Sequence, residues 1–305
     1  MTRPILVIGR RGQVAFELRR ALLPLGQVIA LDRRSEPAVD LADPDSIVAA
    51  LRQIRPAVIV NAAAYTAVDR AEAEPQLAEK INATAPGILA EETRRLGTGL
   101  IHYSTDYVFA GDGDRPYRED DPTGPQSVYG RTKLAGEEAI RASGCDHWIL
   151  RTAWVYGARG KNFLLTMLRL LREKERIGVV ADQSGTPTWS RVIAETTAQM
   201  LARRAVSDTC GTYHLTCTGA TTWHGFADAI RRRGIDAGLL PETAARIDPI
   251  TTADYPTPAR RPAWSVLDTG KLTATFGLTP PAWDTALALC LEELAGQSSP
   301  PQTRL

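Results

Sequence analysis

The stretch ILVIGRRGQVA, residues 5–15, decides the fold. Its first four residues are aliphatic and closed by glycine, too short a run for an amphipathic helix, and read as a strand buried on both faces. The turn that follows, GRRGQVA (9–15), sets Gly9 and Gly12 ahead of a helix. Glycine there permits a tight turn and lets backbone N–H groups approach a pyrophosphate, whose charge the helix N-terminus favours. Ala15 stands where a third glycine would allow close helix–sheet packing. A plain structural turn would carry the same glycines, so context decides. A strand precedes, a helix follows, and Asp32 ends the second strand, 20 residues beyond Gly12, where an acid can bind an adenosine ribose. The expected ligand is a dinucleotide, held by Gly9, Gly12, Gln13, Val14 and Asp32.

Outward from this turn the pattern repeats. QVIALD (27–32), AVIVNAAA (57–64) and GLIHYSTD (99–106) are further short apolar runs ending in small or polar residues. Helical patterns separate them over about 15–25, 44–54, 76–96 and 128–142. Asp43 caps the second of these and Pro44 suits its first position. Strand and helix alternate, which predicts an α/β fold with a Rossmann-like, doubly wound parallel sheet. Beyond DHWILRTAWVYG (146–157) the alternation weakens, although KNFLLTMLRLLREKE (161–175) keeps a helical apolar stripe, with further helices near 190–204, 223–234 and 284–295. The expected division is an NAD(P)-binding region over 1–150 and a smaller, mainly substrate-binding α/β region over 151–295. Some segments of the latter return to the first, and a flexible tail covers 296–305.

Composition excludes several classes. Hydrophobic residues at 44% and charged residues at 23% are those of an ordinary globular chain. Thirty-six Lys and Arg against thirty-five Asp and Glu give a formal charge of +1, so no electrostatic footprint for nucleic acid or an anionic membrane exists. No apolar run approaches the length of a membrane span, and the N-terminal run is too short for a signal peptide. Cys145, Cys210, Cys217 and Cys290 lack framework spacing, which predicts reduced thiols and a cytoplasmic protein. His214, between Cys210 and Cys217, reads as a strand residue rather than a zinc ligand.

Arg33 and Arg34 suit a 2′-phosphate, whereas Asp32 favours a bare 2′-hydroxyl, so NADPH and NADH both fit and the arginines tilt the expectation to NADPH. Asp40 and Leu41 are expected beside the adenine. Ala62, Ala63, Ala64, Tyr65 and Thr66 end the third strand where a dinucleotide passes. The strand over 99–106 delivers Ser104, Thr105 and Asp106 to the same rim. In SVYGRTKLAGEEAI (127–140), Tyr129 and Lys133 are one helical turn apart and face a common space. A phenol has an ordinary pKa near ~10, so at neutral pH it gains as a proton donor or acceptor from a cation that stabilises its phenolate, and Lys133 is the candidate. A tyrosine and lysine at this spacing usually mark an exposed helix face; the dinucleotide fingerprint upstream changes that balance.

GRRGQVA, NAAAYTAVDRAE, STDYVFAG, YGRTKLAGE, RTAWVYG, DQSGTPT and YPTPARRP together resemble the extended short-chain dehydrogenase/reductases, and within them the family that reduces dTDP-4-dehydrorhamnose. The resemblance covers about residues 4–294 and implies hydride transfer from a nicotinamide cofactor to C4 of dTDP-4-dehydro-L-rhamnose, giving dTDP-L-rhamnose. It implies Tyr129 as general acid, and Lys133 as the ligand of the nicotinamide ribose that also lowers the tyrosine pKa. Thr105 and Asp106 are implied at the sugar, Trp154 packed against it, and Arg261 on the diphosphate with Arg260 as a neighbour. The partner is then a nucleotide sugar, and a homodimer is compatible.

One position departs from that pattern. The resemblance implies that some family members hold Mg²⁺ with glutamates at a dimer interface; Glu17 and Glu293 match two of the places, but Arg191 fills the third. A cation there repels a divalent metal and can pair with the two acids instead, so the expected metal is none. Two alternatives remain. A dehydratase or epimerase would share the fold, but Tyr107 rather than an acid follows Asp106. A non-catalytic NADP-binding subunit resembling the β subunit of methionine adenosyltransferase would not need the complete Thr105, Tyr129 and Lys133 set.

Overall fold

The structure is a computed structural model that describes residues 3–298. Six parallel strands form its central sheet: β1 (Ile5–Ile8), β2 (Val28–Leu31), β3 (Val58–Asn61), β4 (Gly99–Thr105), β5 (Asp146–Thr152) and β6 (Gly211–His214). Their spatial order is β6-β5-β4-β3-β1-β2, with Ile5 of β1 opposite Val28 on one side and Val58 on the other. The order reverses between β1 and β3, and ligands of open α/β sheets bind at such a reversal, beyond the carboxyl ends of the strands. β1 and β3 are buried along their whole lengths, as their unbroken apolar runs require when helices cover both faces.

Helices α2 (Pro44–Ile54) and α4 (Val128–Ser143) fall where the periodicity puts them, α1 (Gln13–Ala21) begins and ends a few residues earlier than expected, and α3 (Ala85–Leu96) fills only the later part of its span. Asp43 caps α2 by accepting from the Asp45 amide at 3.1 Å. Ser127 caps α4 by accepting from the Gly130 amide at 3.1 Å, and Gly144 ends that helix with φ +68°. The single helix expected over 76–96 is instead broken into Pro75–Glu79, a π-turn at Lys80–Thr84, and α3. Pro86 has no N–H to return to the Asn82 carbonyl, so the ladder skips there.

After β5 the chain builds small paired strands: 176–180 with 246–250, 184–185 with 221–222, and 155–156 with 188–189. They pack with helices α5 (Phe163–Glu173), α6 (Ser190–Arg203), α7 (Trp223–Asp236) and α8 (Trp283–Ser298), whose core includes Leu164, Leu168, Trp189, Phe226 and Leu287. α6 also packs against α1, and β6 joins the first sheet through β5. α8 continues to Ser298, into the segment expected as a tail; 299–305 lie outside the described residues.

Candidate active site

A cavity of about 570 Å³ opens along the carboxyl ends of β1, β3 and β4. It is lined by Gly9, Gly12, Gln13, Val14, Asp32, Arg33, Ala62, Ala63, Ala64, Thr66, Tyr129 and Lys133, all sequence candidates. Gly9 has φ +100°, and an added Cβ would press on the Ala62 backbone at 3.3 Å, so turn and strand end touch only because glycine is there. Gly12 begins α1 without a side-chain cap, leaving the first-turn amides to face an anion. Asp32 accepts from the Arg34 amide at 2.9 Å and from Ser35 Oγ at 3.2 Å; the amide, together with Ser35 and the charge of Arg11 at 3.6 Å, holds its carboxyl below the usual range. An anion cradle, a fixed ribose acceptor and the cations Arg33 and Arg34 fit a pyridine dinucleotide.

Three cofactor candidates sit elsewhere. The Asp40 carboxylate accepts from the Ala42 amide at 2.9 Å, Leu41 is buried in the core beneath the sheet, and Tyr65 donates its hydroxyl to Glu74 at 2.6 Å. None of them lines the cavity. Asn61, Tyr103, Thr152, Val155 and Lys161 line it without having been candidates. Thr152 ends β5, and Val155 and Lys161 come from the segment after it, which folding alone brings over the cleft. Asn82, at the π-turn, was also missed: it accepts from the Tyr65 amide at 2.9 Å, donates to the Tyr65 carbonyl at 3.0 Å, and donates to Thr132 at 3.2 Å. It thereby ties the β3 loop to α4, and the only local sign of it is the proline four residues on.

Tyr129 and Lys133 lie in the first turns of α4 and line the same cavity. Burial pushes the Tyr129 phenol well above its usual range, opposed by the Thr105 hydroxyl and reinforced by the charge of Asp106. Thr105 in turn donates to Asp106 at 2.9 Å. Lys133 Nζ donates to the Tyr103 carbonyl at 2.6 Å and sits 3.0 Å from His102 Nε2. Burial brings its pKa down to about 8, with Glu137 pulling the other way. Burial and the charge of Asp106 both favour the neutral phenol, and the Lys133 nitrogen is turned to β4. A protonated phenol at neutral pH is a proton donor in waiting.

None of the substrate candidates Thr105, Asp106, Trp154 and Arg261 lines the cavity itself. Burial drives the Asp106 carboxyl up to about 6 against hydrogen bonds from Ser265 and Thr105. Arg261 donates to Asp69 at 2.7 Å and to the Tyr107 hydroxyl at 3.4 Å, while Arg260 reaches Gln126 at 3.4 Å. Tyr107 meets the Tyr129 ring edge-on, centroids 5.5 Å apart, which links the arginine to Tyr129. Trp154 adopts φ +47°, a left-handed backbone unusual for a bulky residue, and stacks on Trp223 at 3.5 Å. Gly185 is obligatory beneath it, since an added Cβ would collide with the indole. Trp223 and Gly185 were not legible as partners from spacing.

Arg191, on α6, bridges the two glutamates. Its guanidinium lies 3.4 Å from Glu17 and 3.1 Å from Glu293, the latter a charge contact not aligned as a hydrogen bond. Among the described residues no group of three or more His, Cys, Asp or Glu is placed to hold a metal ion. A larger cavity of about 960 Å³, bordered by Arg118, Asp121, Arg141, Arg151, Asp268 and Lys271, contains none of the candidate residues. Several of its charges are matched within the protein, as in Arg115–Asp121 and Arg151–Glu137.

Comparison with known proteins places this geometry in context. Residues 2–295 match the family model described as RmlD substrate binding domain. The dTDP-4-dehydrorhamnose reductase of Burkholderia thailandensis is 49% identical over 300 residues, 96% of this chain and 99% of the relative. That of Escherichia coli strain K12 is 45% identical over 95% of this chain and 97% of the relative. A crystal structure of dTDP-4-dehydrorhamnose reductase from Bacillus anthracis in complex with NADP superposes with a TM-score of 0.88 at 32% identity, covering 96% of this chain and all of that one.

Proposed function

The chain belongs to the RmlD substrate binding domain family, that of the dTDP-4-dehydrorhamnose reductases, and from this premise we propose how its residues carry out the reaction. It is an NAD(P)H-dependent oxidoreductase that reduces the C4 ketone of dTDP-4-dehydro-L-rhamnose to dTDP-L-rhamnose. The bound reduced nicotinamide supplies the hydride. Gly9, Gly12 and the α1 amides hold the pyrophosphate, Asp32 and Arg33 the adenosine ribose, and Lys133 the nicotinamide ribose. Tyr129 gives its proton to the oxygen that becomes the C4 hydroxyl. Thr105 and Asp106 orient that oxygen, Trp154 covers the sugar, and Arg261 leaves Asp69 for the diphosphate. The observation that supports this reading is the convergence of a protonated phenol and a buried amine on the cavity that carries the glycine turn.

The decisive assay follows reduced-nicotinamide absorbance with dTDP-4-dehydrorhamnose. One NAD(P)H is consumed per sugar, faster with NADPH than NADH because Arg33 and Arg34 offer charge to a 2′-phosphate. An unchanged absorbance with substrate isomerised would instead identify an epimerase.

Arg191 leads to a second expectation: chelator-treated enzyme retains full activity, and added Mg²⁺ changes nothing, because a guanidinium occupies the charge position between Glu17 and Glu293. Activity that chelation abolishes and only magnesium restores is the contrary result. The reading further assigns the protein to the cytoplasm, a compartment in which reduced thiols such as those expected of Cys145, Cys210, Cys217 and Cys290 persist. Among the described residues no helix is long and apolar enough to cross a membrane.

A further inference from the structure

Behind Lys133 runs a hydrogen-bond chain that the proton transfer from Tyr129 does not itself require. His102 Nε2 lies 3.0 Å from Lys133 Nζ, and the other ring nitrogen, Nδ1, lies 3.0 Å from Asn61 Nδ2. The Asn61 amide is oriented by Ala63, whose backbone N–H donates to Asn61 Oδ1 at 3.2 Å. Asn61, His102 and Lys133 are each 1% exposed, so a mismatch among them is poorly offset by water even though Asn61 and Lys133 border the cavity.

Donors and acceptors in this chain do not close for every protonation state. With Oδ1 committed to Ala63, Asn61 offers an N–H to Nδ1, and the single proton of a neutral ring sits on Nε2. That N–H faces Lys133 and needs a lone pair, which an amine has and an ammonium lacks. An ammonium is satisfied by the opposite tautomer, in which Nε2 accepts and Nδ1–H donates to Asn61 Oδ1. The amide must then turn over, and the Ala63 N–H loses its acceptor.

Building on the assignment of Lys133 to the nicotinamide ribose, we propose that His102 is a positioning residue coupled to the Lys133 proton: the ring carries its hydrogen on Nε2 opposite an amine and on Nδ1 opposite an ammonium, the Asn61 amide turning between the two. Lys133 takes its proton from solvent, the ring stays neutral throughout, and its one hydrogen changes nitrogen. The coupling makes the ammonium harder to form, in the same direction as burial. Burial first, and then the charge of Lys133, push His102 well below its ordinary pKa and keep it neutral. The groups around Lys133 are Glu137 and Tyr129 on its own helix, His102 and Tyr103 from β4, and Asn61 from β3. Glu137 favours the ammonium but is itself matched by Arg151 from β5 and by Arg141.

The test is nitrogen-15 NMR of the histidine rings in the cofactor-free protein, with His102 identified by its loss in His102→Gln. The expected spectrum shows the Nε2–H tautomer well above pH 8 and the Nδ1–H tautomer well below it, crossing where Lys133 titrates, near about 8. Lys133→Met holds the ring in one form. Asn61→Leu, which releases Nδ1, raises the alkaline limb of the kcat/KM profile by about one pH unit, a tenfold gain in proton affinity. A wild-type ring with one tautomer across the whole range overturns the coupling even if the enzyme turns over. A ring that crosses in a protein that oxidises no NADPH leaves the coupling standing and refutes the reductase assignment.

Discussion

Tyr129→Phe loses turnover by about 10²–10⁴-fold, the usual contribution of a positioned general acid, equivalent to roughly 3–5 kcal/mol of barrier. The substitution removes one oxygen and keeps the ring. The edge-on contact with Tyr107 and the packing against Val128 survive, so fold and cofactor affinity stay close to wild type. A single-turnover assay with saturating NADPH, paired with fluorescence titration of cofactor binding, separates the two effects. A Phe variant with wild-type kcat would exclude Tyr129 as the donor and shift attention to Asp106, whose carboxyl titrates near about 6.

The second large effect falls on stability. Arg151, on β5, donates to both oxygens of Glu137 at 3.0 and 2.7 Å, and the two side chains are 3% and 0% exposed. Its guanidinium also lies 5.0 Å over the Phe109 ring. Arg151→Met keeps the length and removes the charge. Glu137 is then left buried with Arg141 at 3.2 Å, a half-exposed partner. Removing one member of a buried pair costs about 3–5 kcal/mol, because the remaining charge is uncompensated. The midpoint of chemical denaturation at neutral pH should fall accordingly, and Glu137→Met in the same chain should recover part of the loss. The pH dependence has a definite sign. Burial raises the Glu137 pKa, but hydrogen bonds and charge from Arg151 outweigh it and leave the carboxyl below its ordinary value. A depressed carboxylate stabilises the fold above its ordinary titration range and stops doing so as the pH falls through its folded value. The gap between wild type and variant therefore narrows toward acid pH. A gap that is small at neutrality, or that widens in acid, contradicts this account.

What could be read without coordinates follows from range. β1 to β4 announce themselves because each is a short, mostly apolar run between turns, a pattern with few uses other than a strand covered by helices; β5, with Asp146, His147 and Arg151 in DHWILRT, is less plain. β6 does not announce itself, since GTYH is half polar and earns its place only by pairing with β5. The glycine turn and the Tyr129–Lys133 spacing are local and legible. Arg261 with Asp69, 192 residues apart in sequence, and Trp154 on Trp223 are products of topology that no window contains. His102 is an intermediate case. It follows the apolar run GLI in the strand GLIHYST, and a polar residue buried there is itself a signal that a partner waits behind the sheet. Pro86 within the pattern over 76–96 likewise marks where the helix had to yield.

Arg191 has a consequence for how the molecule holds its two ends together. α1 stands near the start of the chain and α8 at its end, and one side chain from α6 grips an acid on each. A guanidinium cannot be chelated, diluted away or exchanged for a competing ion. The cation that joins the two acids is therefore carried in the chain itself, as permanent as the covalent backbone that presents it.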